Sequence, residues 1–278
     1  MKILYVSDLD GTLLNNDSQL SDFTIDNLNN LLLKGINFTV ATARGSSAIK
    51  KLEKIKINVP IIMINGALIY DMETKEFPKI EKVDIDIMIE ILNASENTQQ
   101  DSLIIFSLYD NVINEYFKIS NNIEVQQMRE KTHKNMIYVD SFYELLNQDI
   151  ISLNFKDSKN KIIALYDKIK HIKNVELLVH KDIYSEDLWF LECFSKNANK
   201  YNAINYLREE YNFEKIIAFG DGKNDIPLAE NSNEFYATGN ADEDIKRRAK
   251  NVLESNNDDG VVKWLIDNYK EEGDYEKI

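Results

Sequence analysis

Two acidic clusters in this chain have the residue types and spacing to do chemistry. The first, Asp8-Leu9-Asp10-Gly11-Thr12, follows the short apolar run Ile3–Val6. In extended backbone, residues two apart point the same way, so Asp8 and Asp10 can face one site. Gly11 then lets the chain turn sharply. The second cluster, Gly220-Asp221-Gly222-Lys223-Asn224-Asp225, follows the apolar run Lys215–Phe219. Two aspartates four apart among glycines make a tight acidic turn able to hold a hard divalent cation through oxygen. Crowded carboxylates repel, so something positive belongs among them. Magnesium suits, because it takes a few carboxylates together with substrate phosphate oxygens. The competing readings are a calcium loop for the first cluster and a solvated loop for the second. Placing Gly11 sixth in a calcium loop puts Val6 first and Asp17 twelfth, and a strand rather than a helix precedes it. That register lacks the ligands such a loop requires.

Both clusters sit where parallel strands would end. Ile3–Val6, Ile36–Ala41 and Pro60–Ile64 are apolar runs too short for helices. They alternate with helical patterns over Asp22–Leu33 and Ser47–Ile55. The pattern resumes with helix Lys200–Tyr211, strand Lys215–Phe219 and helix Ile226–Asn231, whose Pro227 stands near the first helical position. Candidate strands Glu234–Ala237 and Asn251–Leu253 and helix Val261–Tyr269 follow, then a polar tail from Lys270 expected to fray. Alternating strands and helices imply a doubly wound α/β core, with helices on both faces of a parallel sheet. Its open edge, at the carboxyl ends of the strands, is where such sheets bind ligands.

The middle reads differently. No Gly or Pro occurs between residues 79 and 219, and all three histidines (His133, His171, His180) fall there. Helical patterns at Asp84–Asn93 and Lys159–Ile169 mix with strand patterns at Leu103–Tyr109, Val112–Tyr116, Met136–Val139, Ile150–Phe155, Val175–Val179 and Leu188–Phe194. The expectation is an inserted α+β domain over 83–192, within a core of 1–82 and 193–278. Tyr184, Trp189 and Phe190 read as its sheet core, and Cys193 as inert packing at the domain junction.

Composition removes several function classes. A formal charge of −14 argues against binding a phosphate backbone. No run reaches the roughly 18–20 apolar residues of a membrane span. The opening residues lack a signal-peptide apolar region, and the single cysteine cannot form an internal disulfide; a cytoplasmic protein is expected. No P-loop pattern occurs, and the three histidines have no zinc spacing. His180 is the one histidine expected to have the chance to face the active site from the insert.

Together these segments resemble the haloacid dehalogenase superfamily of phosphohydrolases, and within it the Cof-type sugar-phosphate phosphatases. Asp8-Leu-Asp-Gly-Thr-Leu is similar to the first motif, Ala41-Thr42-Ala43-Arg44 to the second, Lys200 to the third and Gly220-Asp-Gly-Lys-Asn-Asp to the fourth. Asn65-Gly66-Ala67, Gly239-Asn240-Ala241 and Asn257-Asp-Asp-Gly-Val-Val resemble recurrent Cof-type segments. The resemblance implies a Rossmann-like core with the insert as a cap that covers the site and selects the leaving group. It implies Asp8 as nucleophile, giving an aspartyl-phosphate, and Asp10 as general acid and then base. Mg2+ would be held by Asp8, the Asp10 main-chain carbonyl and Asp221. Thr42, Arg44, Lys200 and Asn224 would serve the phosphoryl group or substrate, with Asn224 and Asp225 supporting Lys200 and the metal's water.

The reading that follows is a magnesium-dependent phosphatase acting on small phosphorylated metabolites. A phosphotransferase or mutase using the same aspartyl-phosphate, or a non-catalytic phosphosugar-binding module, are the alternatives. Residue-level rivals stay open too. Lys196 stands four before Lys200, Thr42 has the chemistry of a helix cap, and Asn65 that of a turn former.

Overall fold

The computed structural model describes residues 1–100, 102–119, 136–182 and 187–269; His133, Tyr184 and the tail from Lys270 lie outside the described residues. The chain forms two compact units, Met1–Lys79 with Asn199–Ile278, and Ile80–Ala198. The first stretch supplies β1 (Ile3–Ser7), α1 (Asp22–Leu33), β2 (Asn37–Val40), α2 (Ser46–Leu52), β3 (Ile61–Met63), β4 (Leu68–Tyr70) and β5 (Lys79–Ile80). Helix α1 starts on its Ser21 cap, whose side chain accepts the Thr24 N–H. Helix α2 ends earlier than its apolar spacing predicts, because the Ile55 N–H turns back onto Leu52 O at 2.9 Å.

The insert contributes α3 (Ile85–Asn97), β6 (Leu103–Tyr109), β7 (Val112–Phe117), β8 (Ile137–Tyr138), β9 (Asp149–Ser158), α4 (Lys159–Ile169), β10 (Val175–Lys181) and β11 (Leu188–Ser195). These strands form one mixed sheet in the order β10-β11-β9-β6-β7-β8. One sheet face, with Leu103, Ile105, Leu153, Phe155, Leu191 and Cys193, packs on Met88, Ile91 and Leu92 of α3 and Ile162, Leu165 and Ile169 of α4. Three expectations need correcting. Strand β11 pairs with β9 and β10 through Phe194 and beyond, so the sheet carries the unit past residue 192 to Ala198, and its near edge is Ile80. Cys193 is therefore fully buried in the insert's own core, where burial pushes its thiol pKa up and makes it a poor nucleophile. Trp189 packs on that core as expected, but period-two alternation turns Phe190 to the other face, stacked on His180 at 5.0 Å.

The last stretch adds α5 (Lys200–Glu210), β12 (Lys215–Gly220), α6 (Ile226–Asn231), β13 (Glu234–Ala237), α7 (Glu243–Lys246), β14 (Asn251–Val252) and α8 (Gly260–Asn268). Five strands pair in parallel in the order β14-β13-β12-β1-β2. Alternation sorts the two faces. Leu4, Val6, Ile216 and Ala218 pack with Ala203, Ile204 and Leu207 of α5, whereas Tyr5, Phe219 and Tyr236 meet Trp264 of α8 on the other side. The result is the doubly wound sheet the pattern implies. Neither β4 nor α7 is expected from the sequence, since each is too short to show a period.

Candidate active site

Strands β1 and β12 run side by side, Ser7 opposite Phe219, and both acidic clusters begin where these strands stop. The Asp8 N–H donates to Phe219 O at 2.9 Å, joining the two strand ends directly. From Leu9 to Leu13 the chain makes one wide turn, closed by the Leu14 N–H on Leu9 O at 2.8 Å. Gly11 holds φ +74° in this turn, and a Cβ there would sit 2.8 Å from the Asp221 carboxylate carbon. Only glycine fits both conditions. Thr12 Oγ1 then donates to Asp221 Oδ1 at 2.9 Å, linking the clusters a second time.

Lys200 reaches the same place from the first turn of α5. The segment before it comes close because Gly66, at φ +105°, has no Cβ; one would lie 2.5 Å from the Asn199 carbonyl carbon. Asn199 caps α5 by accepting the Asn202 N–H at 2.8 Å. The start of a helix is an unfavourable place for a buried cation. Lys200 is nevertheless 2% exposed, because Nζ donates to Asp8 Oδ1 at 2.5 Å and Asp225 Oδ1 at 2.7 Å. Burial alone would lower the pKa of this ammonium; the two carboxylates more than offset it and hold the lysine protonated. Lys196 is exposed, with its N–H on Asn174 O, so Lys200 is the lysine that meets Asp8.

Asp225 is fully buried, and its other oxygen, Oδ2, accepts the N–H groups of Asp221 (3.0 Å) and Gly222 (3.1 Å). Both its oxygens are thus occupied, which suits an anchor for Lys200 and the β12 loop. Asn224 departs from its expected place. It is exposed, with Oδ1 against Gly222, while the Lys200 ammonium bonds Asp8 and Asp225. The single 3-10 turn Lys223–Asp225 points the two side chains in different directions.

Thr42 follows β2 beside the end of β1, with the Ala41 N–H on Ser7 O at 2.9 Å. It is 1% exposed, and its Oγ1 accepts the Arg44 N–H at 3.1 Å. Helix α2 has Gly45, not Thr42, at its cap position. Asn65 lies in the left-handed region (φ +53°) with its N–H on Thr42 O, so it shapes a turn. Arg44 clasps Asp10 with two donors, Nε to Oδ2 at 2.6 Å and Nη2 to Oδ1 at 2.5 Å, at the solvent-facing side of the turn. Pattern reading missed this pairing, as well as the role of Thr12 in holding Asp221. Thr12 had a visible signal in its place within the first cluster.

The electrostatics point to a cation. Carboxylate oxygens of Asp8, Asp221 and Asp225 lie within 4.8 Å of one another, against one ammonium. Burial pushes the Asp8 carboxyl well above its usual range, with the Asp225 charge adding to it and Lys200 opposing. Burial likewise raises Asp221 to about 6, against the pull of the Thr12 hydrogen bond. A hard divalent cation fits this donor set: oxygen ligands carrying excess negative charge, two of them destabilised by burial first and by that charge in addition.

Matches to known proteins agree with this picture. The haloacid dehalogenase-like hydrolase family matches residues 5–265. Phosphatase YwpJ of Bacillus subtilis is 27% identical, over 95% of this chain and 99% of its own. The 5-amino-6-(5-phospho-D-ribitylamino)uracil phosphatase YitU of the same organism is 23% identical, over 94% and 96%. A haloacid dehalogenase-like hydrolase from Bacteroides thetaiotaomicron superposes with a TM-score of 0.80 at 21% identity, covering 97% of this chain and all of that one. With paired acidic strand ends and a family match over most of its length, the chain belongs to the haloacid dehalogenase superfamily of hydrolases, among its Cof-type members.

Proposed function

We propose that this protein is a magnesium-dependent phosphatase that hydrolyses phosphate monoesters of small metabolites through an aspartyl-phosphate on Asp8. The observation that carries the reading is the Lys200 ammonium, buried between Asp8 and Asp225 at the ends of β1 and β12. Lys200 holds Asp8 by Oδ1, which leaves Oδ2 for the phosphorus. As the Asp8 oxygen bonds to phosphorus, the bond to the leaving oxygen breaks and Asp10 supplies that oxygen with its proton. Water then attacks the phosphorus of the aspartyl-phosphate, Asp10 takes its proton, and phosphate departs from Asp8. Lys200 and the Thr42 hydroxyl would bear on the phosphoryl oxygens, and Arg44, at the open side of the turn, on the substrate.

Asp8, Asp221 and the Asp10 carbonyl would hold Mg2+. When bound, the ion offsets the charge repulsion between the carboxylate nucleophile and an anionic phosphoryl group. Asp225 acts behind this set by fixing Lys200 and the loop N–H groups. The insert, about 80–198, is read as the cap that selects the leaving group. Both curated relatives described above are named phosphatases, one of them for a phosphorylated ribityl compound, which supports a small phosphorylated metabolite as substrate. Among the described residues no helix is long and apolar enough to cross a membrane.

The test is phosphate release from a panel of sugar and polyol phosphates, with magnesium and with a chelator. Release that requires the metal is expected. Release indifferent to chelation would count against the acidic site as the seat of the reaction.

A further inference from the structure

The Gly239-Asn240-Ala241 segment lies outside the carboxylate cluster, yet it touches the backbone that carries Asp10. Asn240 Nδ2 donates to Gly11 O at 2.8 Å, and the buried Thr238 Oγ1 donates to the same oxygen at 3.3 Å. The sense of the Asn240 amide is fixed from behind, because Oδ1 accepts the Asn256 N–H at 3.0 Å. With the oxygen so engaged, the amide nitrogen must face Gly11. Asn256 is 3% exposed and ties down the rest of the turn, donating from Nδ2 to Leu14 O (2.9 Å) and Asn16 Oδ1 (3.1 Å). Asn257 Oδ1 accepts the Asn16 N–H at 2.9 Å.

Asp10 has a different kind of support. Its carboxylate is about half exposed, and Arg44, which pairs with it, is itself partly solvated. That two-donor pair, open to water on one side, orients the carboxylate group but does not hold the backbone that carries it. The direction of the Asp10 side chain depends as well on the backbone that follows it. That backbone is pinned at Gly11 O by Asn240 and Thr238, and at Thr12 Oγ1 by Asp221.

We propose that Asn240, held by Asn256, is a positioning residue that fixes the Gly11 peptide and thereby points Asp10 at the leaving-group oxygen. The proposal rests on the phosphatase reading, with Asp10 as the proton donor. It gives the Ser255–Asp258 turn and the Gly239-Asn240-Ala241 segment one shared task. Asn240 is exposed and takes no part in the hydrophobic core, so its substitution tests aim more than folding.

The leaving group discriminates between positioning and general damage. An alkyl phosphate needs its departing oxygen protonated, whereas p-nitrophenyl phosphate leaves as a stable anion and scarcely needs it. Asn240→Asp keeps the acceptor for Asn256 but sets an oxygen against Gly11 O; Asn240→Ala removes both bonds. With magnesium, both variants should lose about 10- to 100-fold in kcat/KM on a sugar phosphate, the scale of a misplaced catalytic group. On p-nitrophenyl phosphate the loss in kcat/KM, which reports the transfer to Asp8 and not the later water step, should stay below about 3-fold, because protonation of the leaving group matters little there. Thr238→Val, which removes the longer bond, should show the same split at smaller size. Asp10→Asn should show the same split, and combining it with Asn240→Asp should add little. Equal losses on the two substrates, or no loss on the sugar phosphate, would overturn the proposal. A parent enzyme that releases phosphate from neither substrate would overturn the phosphatase reading beneath it.

Discussion

Replacing Lys200 with Met gives the sharpest physical test of how the site is held together. The change keeps the length of the side chain and removes its charge. It leaves Asp8 and Asp225, 3% and 0% exposed, facing each other without the ammonium that bonds both. Breaking a buried ion pair by removing one partner costs about 3–5 kcal/mol. In a unit of 150–250 residues, each kcal/mol lowers Tm by roughly 2–4 °C, so a fall of roughly 6–20 °C is expected near pH 7.5 without metal. The deficit should shrink toward pH 5. With its pKa already raised by burial, Asp8 takes up a proton more readily once Lys200 is gone, and the unpaired charge disappears. Adding Asp225→Asn removes the second stranded carboxylate. The double variant should therefore lose less than the two single losses combined, by about 1–3 kcal/mol. The assay is thermal unfolding of the four proteins at both pH values. A Lys200→Met protein within about 2 °C of the parent at pH 7.5, a shift worth at most ~1 kcal/mol, would refute the reasoning, as would strict additivity with Asp225→Asn.

Two further outcomes follow from the same geometry. Asp221 is raised to about 6 in the folded chain, so the native state binds a proton that the unfolded chain has already released. The stability from this group is full below the unfolded aspartate pKa and is lost as pH rises through about 6 in the metal-free protein. Magnesium competes with that proton, so its stabilisation in a thermal-shift titration should be strong at pH 7.5 and weak at pH 5; equal gains at both would count against Asp221 as a ligand. Gly66→Ala should lower stability by about 2–4 kcal/mol, from left-handed strain and the clash with the Asn199 carbonyl, and a Tm unchanged in the same assay would show that the approach of α5 has slack.

The carboxylate cluster was largely legible because each acidic segment is contiguous in sequence and directly follows an apolar run of strand length. Asp8, Asp10 and Asp221 needed no long-range information. Lys200 did: it and Lys196 lie four residues apart beside the same helix start, and no local pattern separates them. Burial separates them, and it depends on how closely Asn199 approaches Gly66, a contact between segments far apart in the chain. Asn224 and Asp225 are adjacent and polar, and only the pitch of a single turn decides which reaches Lys200. The insert's limits were blurred because β11 is mostly apolar through Phe194, Glu192 apart, and hydrophobic pattern does not distinguish a strand leaving one sheet from a strand entering another. Asn240 was visible as a segment but not as a contact, since its partner is a main-chain carbonyl 229 residues away.

The central claim is a covalent bond between phosphorus and Asp8, and it has a direct readout. Enzyme quenched with acid while turning over a sugar phosphate, then reduced with borohydride, should contain homoserine in place of Asp8 in the N-terminal peptide. With p-nitrophenyl phosphate, whose leaving group scarcely needs a proton, the signal should be stronger in an Asp10→Asn variant, slowed in breaking down the intermediate. Homoserine at another aspartate, or none at Asp8 in either protein while phosphate is still released, would contradict the account.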